Sequence, residues 1–303
     1  MQRRDFIMAA AGAGLAVSLP RLPLLRIGAA QAAEAAFPGL VAIRNGEPAA
    51  MFDRGMAALG GMRRFVKPGQ TVVVKPNVSW DASPELGGNT NPQLVSQVVR
   101  HCLDAGAGRV TVVDHNIENG RRCYQSSGIA DAATSSGAVV APAEAERYYQ
   151  ATTVPGKSLK RASVHEAILA ADVFINIPIL KHHGGAGMTA GMKNLMGAVW
   201  DRRFYHANNL NQCIADFLTL RQPDLNILDC YRVMTRNGPK GGSAADIKLV
   251  GMQLISTDIV AVDAAASRIL GRAPEDFPYV GMAYGAGLGE VDLARLMVER
   301  LTL

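Results

Sequence analysis

The segment from Lys181 to Asn194 concentrates groups that could do chemistry on an anion. It reads KHHGGAGMTAGMKN and holds two lysines, two histidines and four glycines. Glycines let backbone N–H groups approach an anion, and the N-terminus of a following helix adds positive potential. The spacing does not match the glycine loops that bind mononucleotides or dinucleotides. We therefore expect a different kind of anion site here, with a mobile glycine loop as the alternative.

Two adjacent histidines, His182 and His183, stand at the start of this segment. Neighbouring side chains of an extended chain diverge, so the two rings are not expected to bind one metal ion. An imidazole titrates near neutral pH and can therefore act as a general acid or base. We predict His182 as this group, with Lys181 and Lys193 as further catalytic candidates, and we expect His183 and Thr189 to contact a ligand. The alternative is that the histidines are hydrogen-bonded structural residues.

Polar side chains also follow other apolar runs of the chain. Lys75 and Asn77 follow one run, Asp114 follows the next, and Asp229 follows a later one. In an open parallel sheet, ligands bind outside the carboxyl ends of the strands. We therefore expect these residues to gather at one sheet edge, where Lys75, Asn77 and Asn194 would bind a ligand. The alternative is that polar residues simply end strands.

Asp114 and Asp229 have two possible roles at such an edge. Their carboxylate oxygens suit Mg²⁺ or another divalent cation. They could instead pair with the lysines and hold them charged and oriented. A zinc site is disfavoured, because the sequence contains neither H-E-x-x-H nor a Cys/His ligand spacing. Apart from a divalent cation, the sequence does not identify a cofactor.

Short apolar runs alternate with amphipathic stretches along the chain, without a linker or a repeat. Strands are predicted over residues 72–74, 110–113, 173–177, 225–228 and 249–255. Helices are predicted over residues 51–62, from Asn91 and Pro92 onward, from Ser163 to Ala171, over 210–218 and after Asp258. This alternation predicts an α/β protein with a largely parallel sheet covered by helices on both faces. The order of the strands does not follow from the sequence.

The N-terminus has the three regions of a secretory signal. Arg3 and Arg4 are followed by an uncharged stretch over residues 6–20, which is shorter than the roughly 18 residues needed to span a bilayer. Residues 30–32 then read A-Q-A, which fits a cleavage site. The paired arginines indicate the twin-arginine route. We predict a signal peptide over residues 1–32, a single α/β domain over 33–303, and a periplasmic or otherwise exported protein that meets the twin-arginine export machinery but has no stable membrane span.

The charge balance argues against a polyanion as partner. The chain holds 31 Lys and Arg against 26 Asp and Glu, and 49% of its residues are hydrophobic, as in a globular protein. Residues 1–32 contain four arginines and one aspartate, so their removal lowers the net charge from +5 to +2. One basic and aromatic cluster, residues 200–206, could suggest nucleic acid. Without an extended basic stripe, we expect it to form the rim of a small-molecule pocket instead.

The four cysteines do not have a cofactor spacing. They are Cys102, Cys123, Cys213 and Cys230, with neither a C-x-x-C pair nor a ferredoxin-type run. Cys102 and Cys213 fall on the apolar faces of predicted helices, so buried free thiols are expected. An exported protein could also form a disulfide, whose pairing the sequence does not give.

The residues also support a family resemblance from about Val41 to the C-terminus. The matching pieces include VVVKPN at 72–77, ADVFINIPILK at 171–181, TAGMKNLMG at 189–197 and STDIVAVD at 256–263. In these pieces the chain resembles the family called domain of unknown function 362, which usually shows T-G-A-M-K-N where this chain has T-A-G-M-K-N. The resemblance implies an α/β fold and supplies no settled reaction. Several relatives carry an appended ferredoxin-type module, so the family is often labelled iron–sulfur, but this chain lacks the corresponding cysteines.

These observations together predict an exported protein that binds a small anionic molecule, a carboxylate or phosphate, at the carboxyl edge of its sheet. Lysine and histidine acid–base chemistry would act there. Lys75→Met and Lys193→Met are expected to remove binding or turnover alike, without a change in thermal stability. Two alternatives remain: a non-catalytic periplasmic binding or accessory protein, and a redox protein loaded with an iron–sulfur or other cofactor before export.

Overall fold

The computed structural model describes residues 37–241 and 243–303, so the predicted signal peptide lies outside the described residues. The strands are β1 (Leu40–Arg44), β2 (Thr71–Pro76), β3 (Arg109–Val112), β4 (Val139–Val140), β5 (Tyr149–Thr153), β6 (Arg161–His165), β7 (Val173–Ile177), β8 (Ile179–His183), β9 (Gly187–Thr189), β10 (Leu225–Met234), β11 (Ile247–Ser256) and β12 (Val298–Thr302). The helices are α1 (Pro48–Ala58), α2 (Pro92–Asp104), α3 (Gly120–Ser126), α4 (Ile129–Ser135), α5 (Glu166–Ala170), α6 (Gly191–Asn194), α7 (Arg202–Ala207), α8 (Leu210–Phe217), α9 (Ile259–Ile269) and α10 (Pro278–Gly285). Among all these helices, none is long and apolar enough to cross a bilayer.

The main sheet has the strand order β12-β1-β11-β10-β7-β2-β3-β4. Within this order, β10, β7, β2, β3 and β4 run parallel to one another, whereas β11 runs antiparallel to both β1 and β10. Outside this path, β8 pairs parallel with β10 and antiparallel with β9, and β5 pairs with β6 in a separate antiparallel ribbon. The largely parallel sheet predicted from the sequence is therefore confirmed.

Helices cover both faces of this sheet, as the sequence predicted. Successive strand residues point to opposite faces. Val72 and Val74 of β2 accordingly belong to a core with α1 to α4, whereas Val73 belongs to a second core with α5 to α10. All three valines are buried. The burial of apolar side chains on both faces explains why the central strands read as continuous apolar runs.

Helix boundaries agree with the sequence where a local cap decides them. The Asn91 side chain accepts a hydrogen bond from Gln93 N, and Pro92 occupies the first turn of α2. The Asp258 side chain likewise accepts hydrogen bonds from Val260 N and Ala261 N at the start of α9. Asp258 is therefore the helix cap that its position suggested.

Two predicted helices have different boundaries in the structure. Ser163 lies inside β6, paired with Ala151 across the ribbon, so the predicted start of a helix at Ser163 is wrong. The cap of the short helix α5 is His165, whose Nδ1 accepts a hydrogen bond from Ala167 N. The first predicted helix ends at Ala58 rather than at residue 62, because Gly60 follows with a φ of 86°.

A pair of buried amides joins the centre of the sheet to the segment that contains α6. Asn176 on β7 and Asn226 on β10 are opposite each other in register, and both are fully buried. Asn176 Nδ2 donates to Asn226 Oδ1 and to Gly191 O, each at 3.1 Å. Asn226 Nδ2 donates to Ser256 O at 3.5 Å. The amides therefore satisfy one another in a region that water does not reach.

Asn176→Ala should destabilise the protein by about 2–4 kcal/mol, since it leaves buried polar groups without partners and opens a small cavity. Urea unfolding measures this change. The control is Asn208→Ala, which removes an exposed amide whose Nδ2 donates to Phe204 O and should cost about 0.5 kcal/mol or less. Equal losses in the two variants would contradict a special role for the buried amide.

Candidate functional site

A cavity of about 340 Å³ opens at the carboxyl ends of β2 and β3, beside β8. We call it the sheet-edge cavity. Seven residues that the sequence predicted as site residues line it: Asn77, Asp114, Lys181, His183, Thr189, Lys193 and Asn194. Three others do not line it: Lys75, His182 and Asp229. The predicted gathering of polar residues at the strand ends thus holds for most of the set.

Lys75 lies beneath the cavity in an ion pair with Asp114. Its Nζ is 2.7 Å from Asp114 Oδ1, and both side chains are at most 1% exposed. Asp114 Oδ2 accepts a hydrogen bond from Val78 N at 2.7 Å. Burial lowers the pKa of Lys75, while the charge of Asp114 raises it. The charges of Asp114 and Lys75 therefore neutralise each other. Lys75 lies beneath the cavity and supports it, but does not line it.

Gly197 packs directly against this ion pair. An ideal Cβ at this position would overlap Asp114 Oδ1 and lie 2.7 Å from Lys75 Nζ. The backbone of Gly197 also accepts a hydrogen bond from His115 N at 2.9 Å. Only glycine allows the chain to approach the pair so closely. This explains a glycine at the end of the MKNLMG motif, which the sequence analysis did not assign to the site.

A directional chain of buried hydrogen bonds leads from Lys181 into the sheet. Lys181 Nζ donates to Asn77 Oδ1 at 3.0 Å and to Gly88 O. Asn77 Nδ2 then donates to Asn194 Oδ1, and Asn194 Nδ2 donates to Asn176 Oδ1, each at 2.9 Å. From Asn176 the chain continues through the amide pair described above. We call this the amide relay; because all its bonds run in one direction, each polarises the next.

The sequence identified Asn77 and Asn194 but not the other two members of the amide relay. Asn176 and Asn226 stand inside the apolar runs VFINI and LNILD. The sequence does contain a signal for them: each is a single polar residue inside an apolar strand. A buried amide requires hydrogen-bond partners, so such a residue predicts a buried polar contact.

Lys193 differs from Lys75 and Lys181, because the hydrogen bonds and ion pairs of the described residues include none to its Nζ. Its side chain is partly buried and lines the cavity. Burial, followed by the charges of Arg202 and Lys75, lowers the pKa of Lys193 to about 7. Burial and the charge of Lys193 lower the pKa of Lys181 to about 7 as well. Both amines therefore change protonation near neutral pH.

His183, not His182, is the histidine that faces the cavity. His182 points away, and its Nδ1 accepts a hydrogen bond from Gly238 N at 3.2 Å. His183 Nδ1 accepts hydrogen bonds from Gly185 N and Ala186 N, each at 3.0 Å, which places the ring proton on Nε2. Burial and the charges of Lys193 and Lys181 lower the pKa of His183 to about 3. This ring is therefore neutral near pH 7, with Nε2–H as its donor.

The basic and aromatic segment after Val199 forms part of the cavity rim. Arg202, Arg203 and His206 of α7 all line the cavity, which agrees with the predicted pocket rim. Arg202 donates from Nη1 to His115 O at 2.7 Å and from Nη2 to Asn116 O at 2.6 Å. Neither acceptor is charged, so these bonds hold the guanidinium without neutralising it.

The glycine segment does not offer its backbone to the cavity in the way the sequence suggested. Gly191 N and Met192 N donate to the Asp263 carboxylate at 2.6 and 3.1 Å. Gly185 N and Ala186 N are taken by His183, as described. Helix α6 is also only four residues long. The positive character of the cavity therefore comes from side chains rather than from a helix N-terminus.

Asp229 lies apart from the cavity. Its carboxylate accepts hydrogen bonds from Asn91 N and Tyr231 N, each at 2.9 Å, and burial raises its pKa to about 6. Asp114 and Asp229 are thus not joined at one cavity, and residues 37–241 and 243–303 contain no group of three or more His, Cys, Asp or Glu that could hold a metal ion. The four cysteines are buried and unpaired. A Mg²⁺ site stays a prediction to which the described residues add no ligand set.

The chain belongs to the domain of unknown function (DUF362) family, whose profile matches residues 72–268. The resemblance seen in the sequence motifs is therefore confirmed. A thylakoid-associated protein of Synechocystis sp. is 29% identical over 238 residues, which cover 76% of this chain and 72% of that protein.

Two solved structures match part of the chain at low sequence identity. The lactate racemase apoprotein from Thermoanaerobacterium thermosaccharolyticum matches 82% of this chain at 11% identity, with a TM-score of 0.46. A structural-genomics protein from Thermotoga maritima matches 75% at 11% identity, with a TM-score of 0.49. This chain spans 57% and 60% of the length of these two proteins, respectively.

The ion pair leads to different expectations for Lys75 and Lys193, which the sequence alone treated alike. Lys75→Met should destabilise the protein by about 3–5 kcal/mol, because it leaves the Asp114 carboxylate buried without a counter-charge. The double variant Lys75→Met/Asp114→Asn removes both charges and should recover a large part of the loss. Denaturant unfolding of the four-member double-mutant cycle measures the coupling. Additive effects of the two substitutions would show that the pair does not act as a unit.

Proposed function

We propose that the protein binds a small carboxylate or phosphate in the sheet-edge cavity. The observation that carries this proposal is Lys193, a partly buried amine that lines the cavity and has no acceptor among the described residues. An ammonium group that is partly removed from water and has no counter-charge is unfavourable, and an anion in the cavity would supply that counter-charge. Carboxylates and phosphates both accept hydrogen bonds from ammonium groups.

The charge balance of the lining supports the same conclusion. Lys181, Lys193, Arg202 and Arg203 contribute cationic side chains, whereas Asp114 is the lining carboxylate and is already paired with Lys75. The excess is therefore positive at a site of low dielectric, where an anion is attracted more strongly than in water. Guanidinium groups also suit the planar geometry of a carboxylate.

Proton transfer at this site would involve Lys193 and His183. An amine with a pKa of about 7 exchanges its proton readily at neutral pH, as a general acid or base requires. His183 offers a neutral Nε2–H that could donate a hydrogen bond to a developing negative charge. Lys181, by contrast, is fixed as a donor to Asn77 and Gly88. We therefore assign acid–base chemistry to Lys193 rather than to His182 or Lys181.

Export remains part of the proposal. Its basis is the order of Arg3-Arg4, the uncharged stretch and the A-Q-A site within residues 1–32. The ligand would then be a small anion of the periplasm or another exported compartment.

Lys193→Met should weaken binding of glycolate and of inorganic phosphate by at least about tenfold, since it removes the unpartnered cation. Isothermal titration calorimetry measures the dissociation constants, and thermal unfolding should show no loss of stability, because residues 37–241 and 243–303 make no hydrogen bond or ion pair with Lys193 Nζ. Lys157→Met, which removes an exposed lysine outside the cavity lining, is the matched control and should bind normally. Unchanged affinity in Lys193→Met would refute the proposed site. Binding that persists with no turnover of any tested anion would assign the protein to the non-catalytic class.

Glycolate affinity should also fall as the pH rises through 7. Lys181 and Lys193 lose their protons around this pH, whereas glycolate is fully ionised above about pH 6. The loss should approach about tenfold per pH unit for each lysine that must be protonated. Titrations at pH 8 in buffers of different ionisation enthalpy should show proton uptake on binding.

The same two lysines give the free protein the opposite trend. Their folded-state pKa of about 7 is below the value of 10.5 for an unperturbed lysine. The unfolded state therefore binds more protons between these values, and the stability of the free protein should rise with pH across this window. For the preceding prediction, a glycolate affinity that does not change from pH 6 to 9 would contradict the assignment of Lys181 and Lys193 to ligand binding.

A further inference from the structure

We infer that Lys193 is a nucleophile that forms an imine with the carbonyl group of a small 2-oxo acid bound in the sheet-edge cavity. The inference rests on the proposed anion site and adds to it a covalent step and a substrate class. It starts from a contrast among the three lysines at this edge of the sheet.

Lys193 is the lysine whose nitrogen is free to attack. Lys75 Nζ is held by Asp114 at 2.7 Å and by Pro76 O at 3.1 Å. Lys181 Nζ is held by Asn77 Oδ1 and Gly88 O. Lys193 Nζ has no bond among the described residues, and its side chain lines the cavity. A nucleophilic amine needs an unengaged lone pair within reach of the substrate, which this arrangement offers.

The surroundings of Lys193 also favour the reactive form of the amine. Positive charges of Lys75 and Arg202 act on Lys193, and the described residues place no carboxylate against it to hold the proton. Desolvation among other cations is the environment in which lysine becomes a nucleophile near neutral pH.

The remaining lining suits the other end of a 2-oxo acid. Arg202 and Arg203 at the rim can bind a carboxylate, and Lys181 adds positive charge to the same lining. In a 2-oxo acid the carbonyl carbon is bonded directly to that carboxylate, so binding the carboxylate brings the carbonyl to the same small cavity. An anion without a carbonyl would bind there but could not react.

The step is balanced without an oxidant or a reductant. The lone pair of Lys193 Nζ forms a bond to the carbonyl carbon, and the electrons of the C=O double bond move to the oxygen. His183 Nε2–H can donate a hydrogen bond to this oxygen as its charge develops. The two protons of the amine then leave with the oxygen as water while the C=N bond forms. The neutral amine and the ketone thus give an imine and one water.

Reductive trapping tests the inference directly. The full-length protein is incubated near neutral pH with glyoxylate and sodium cyanoborohydride, followed by intact mass spectrometry and peptide mapping. We expect one adduct per chain, located at Lys193. Glycolate, which has the carboxylate but no carbonyl, should suppress the adduct by competition. Propanal, which has the carbonyl but no carboxylate, should label Lys193 far more slowly.

Two variants distinguish charge from nucleophilicity. Lys193→Arg keeps a cation but cannot form an imine, so it should still bind glycolate and should lose the adduct. Lys157→Met should be labelled at Lys193 like the unmodified protein. Circular dichroism and thermal unfolding establish that both variants are folded.

The outcomes separate this inference from the proposed function. Labelling at Lys193 that glycolate suppresses supports both. Glycolate binding without an adduct overturns the imine and leaves the anion site intact. An adduct that survives in Lys193→Arg, or that spreads over surface lysines, also overturns the imine. Absence of both glycolate binding and labelling overturns the anion site itself.

Discussion

Lys75 and Asp114 form an ion pair where solvent is excluded, and the arrangement of the sheet-edge cavity depends on it. Two ions buried together are stable only if each is paired and further hydrogen-bonded. Asp114 meets this condition through Lys75 and Val78 N, and Lys75 through Asp114 and Pro76 O. The contact also dictates a glycine at position 197, since a side chain there would enter the space that the pair occupies. The segment after α6 is thereby brought against the ends of β2 and β3.

The pairing of Asp114 with Lys75 has an electrostatic consequence for the rest of the cavity. Among the residues that the structure describes, Asp114 is the carboxylate that lines the cavity, and it is paired with Lys75. No ion pair within that part of the chain therefore neutralises Lys181, Lys193 or Arg202. The amide relay secures Lys181 through neutral groups and therefore does not reduce this excess. Such an arrangement lowers the stability of the free protein, and natural sites accept this cost where a ligand or a reaction benefits.

Much of this edge was predictable, because strand ends are a local property of the sequence. The apolar runs before Lys75, Asp114 and Lys181 located three parallel strands, and parallel strands bring their carboxyl ends together. The same rule misplaced Asp229, because that strand continues to Met234 and the carboxylate bonds to Asn91 N and Tyr231 N. The residues that hydrogen-bond to site groups can lie far away in the chain, as Asp263 does from Gly191, whose N–H donates to its carboxylate. Sequence patterns do not reveal such partners.

The histidines show how a single pairing decides between two neighbouring candidates. Strand alternation already implies that Lys181 and His183 share one face and that His182 has the other, but it does not say which face meets the cavity. The pairing of β8 with β9 settles the face together with the cavity lining: Thr189 lies opposite Lys181 and lines the cavity, whereas Met188, opposite His182, does not. Opposite residues in an antiparallel pair lie on the same face. Thr189, Lys181 and His183 therefore reach the cavity together, and the chemistry expected of His182 is proposed instead for the adjacent His183 and for Lys193 on α6.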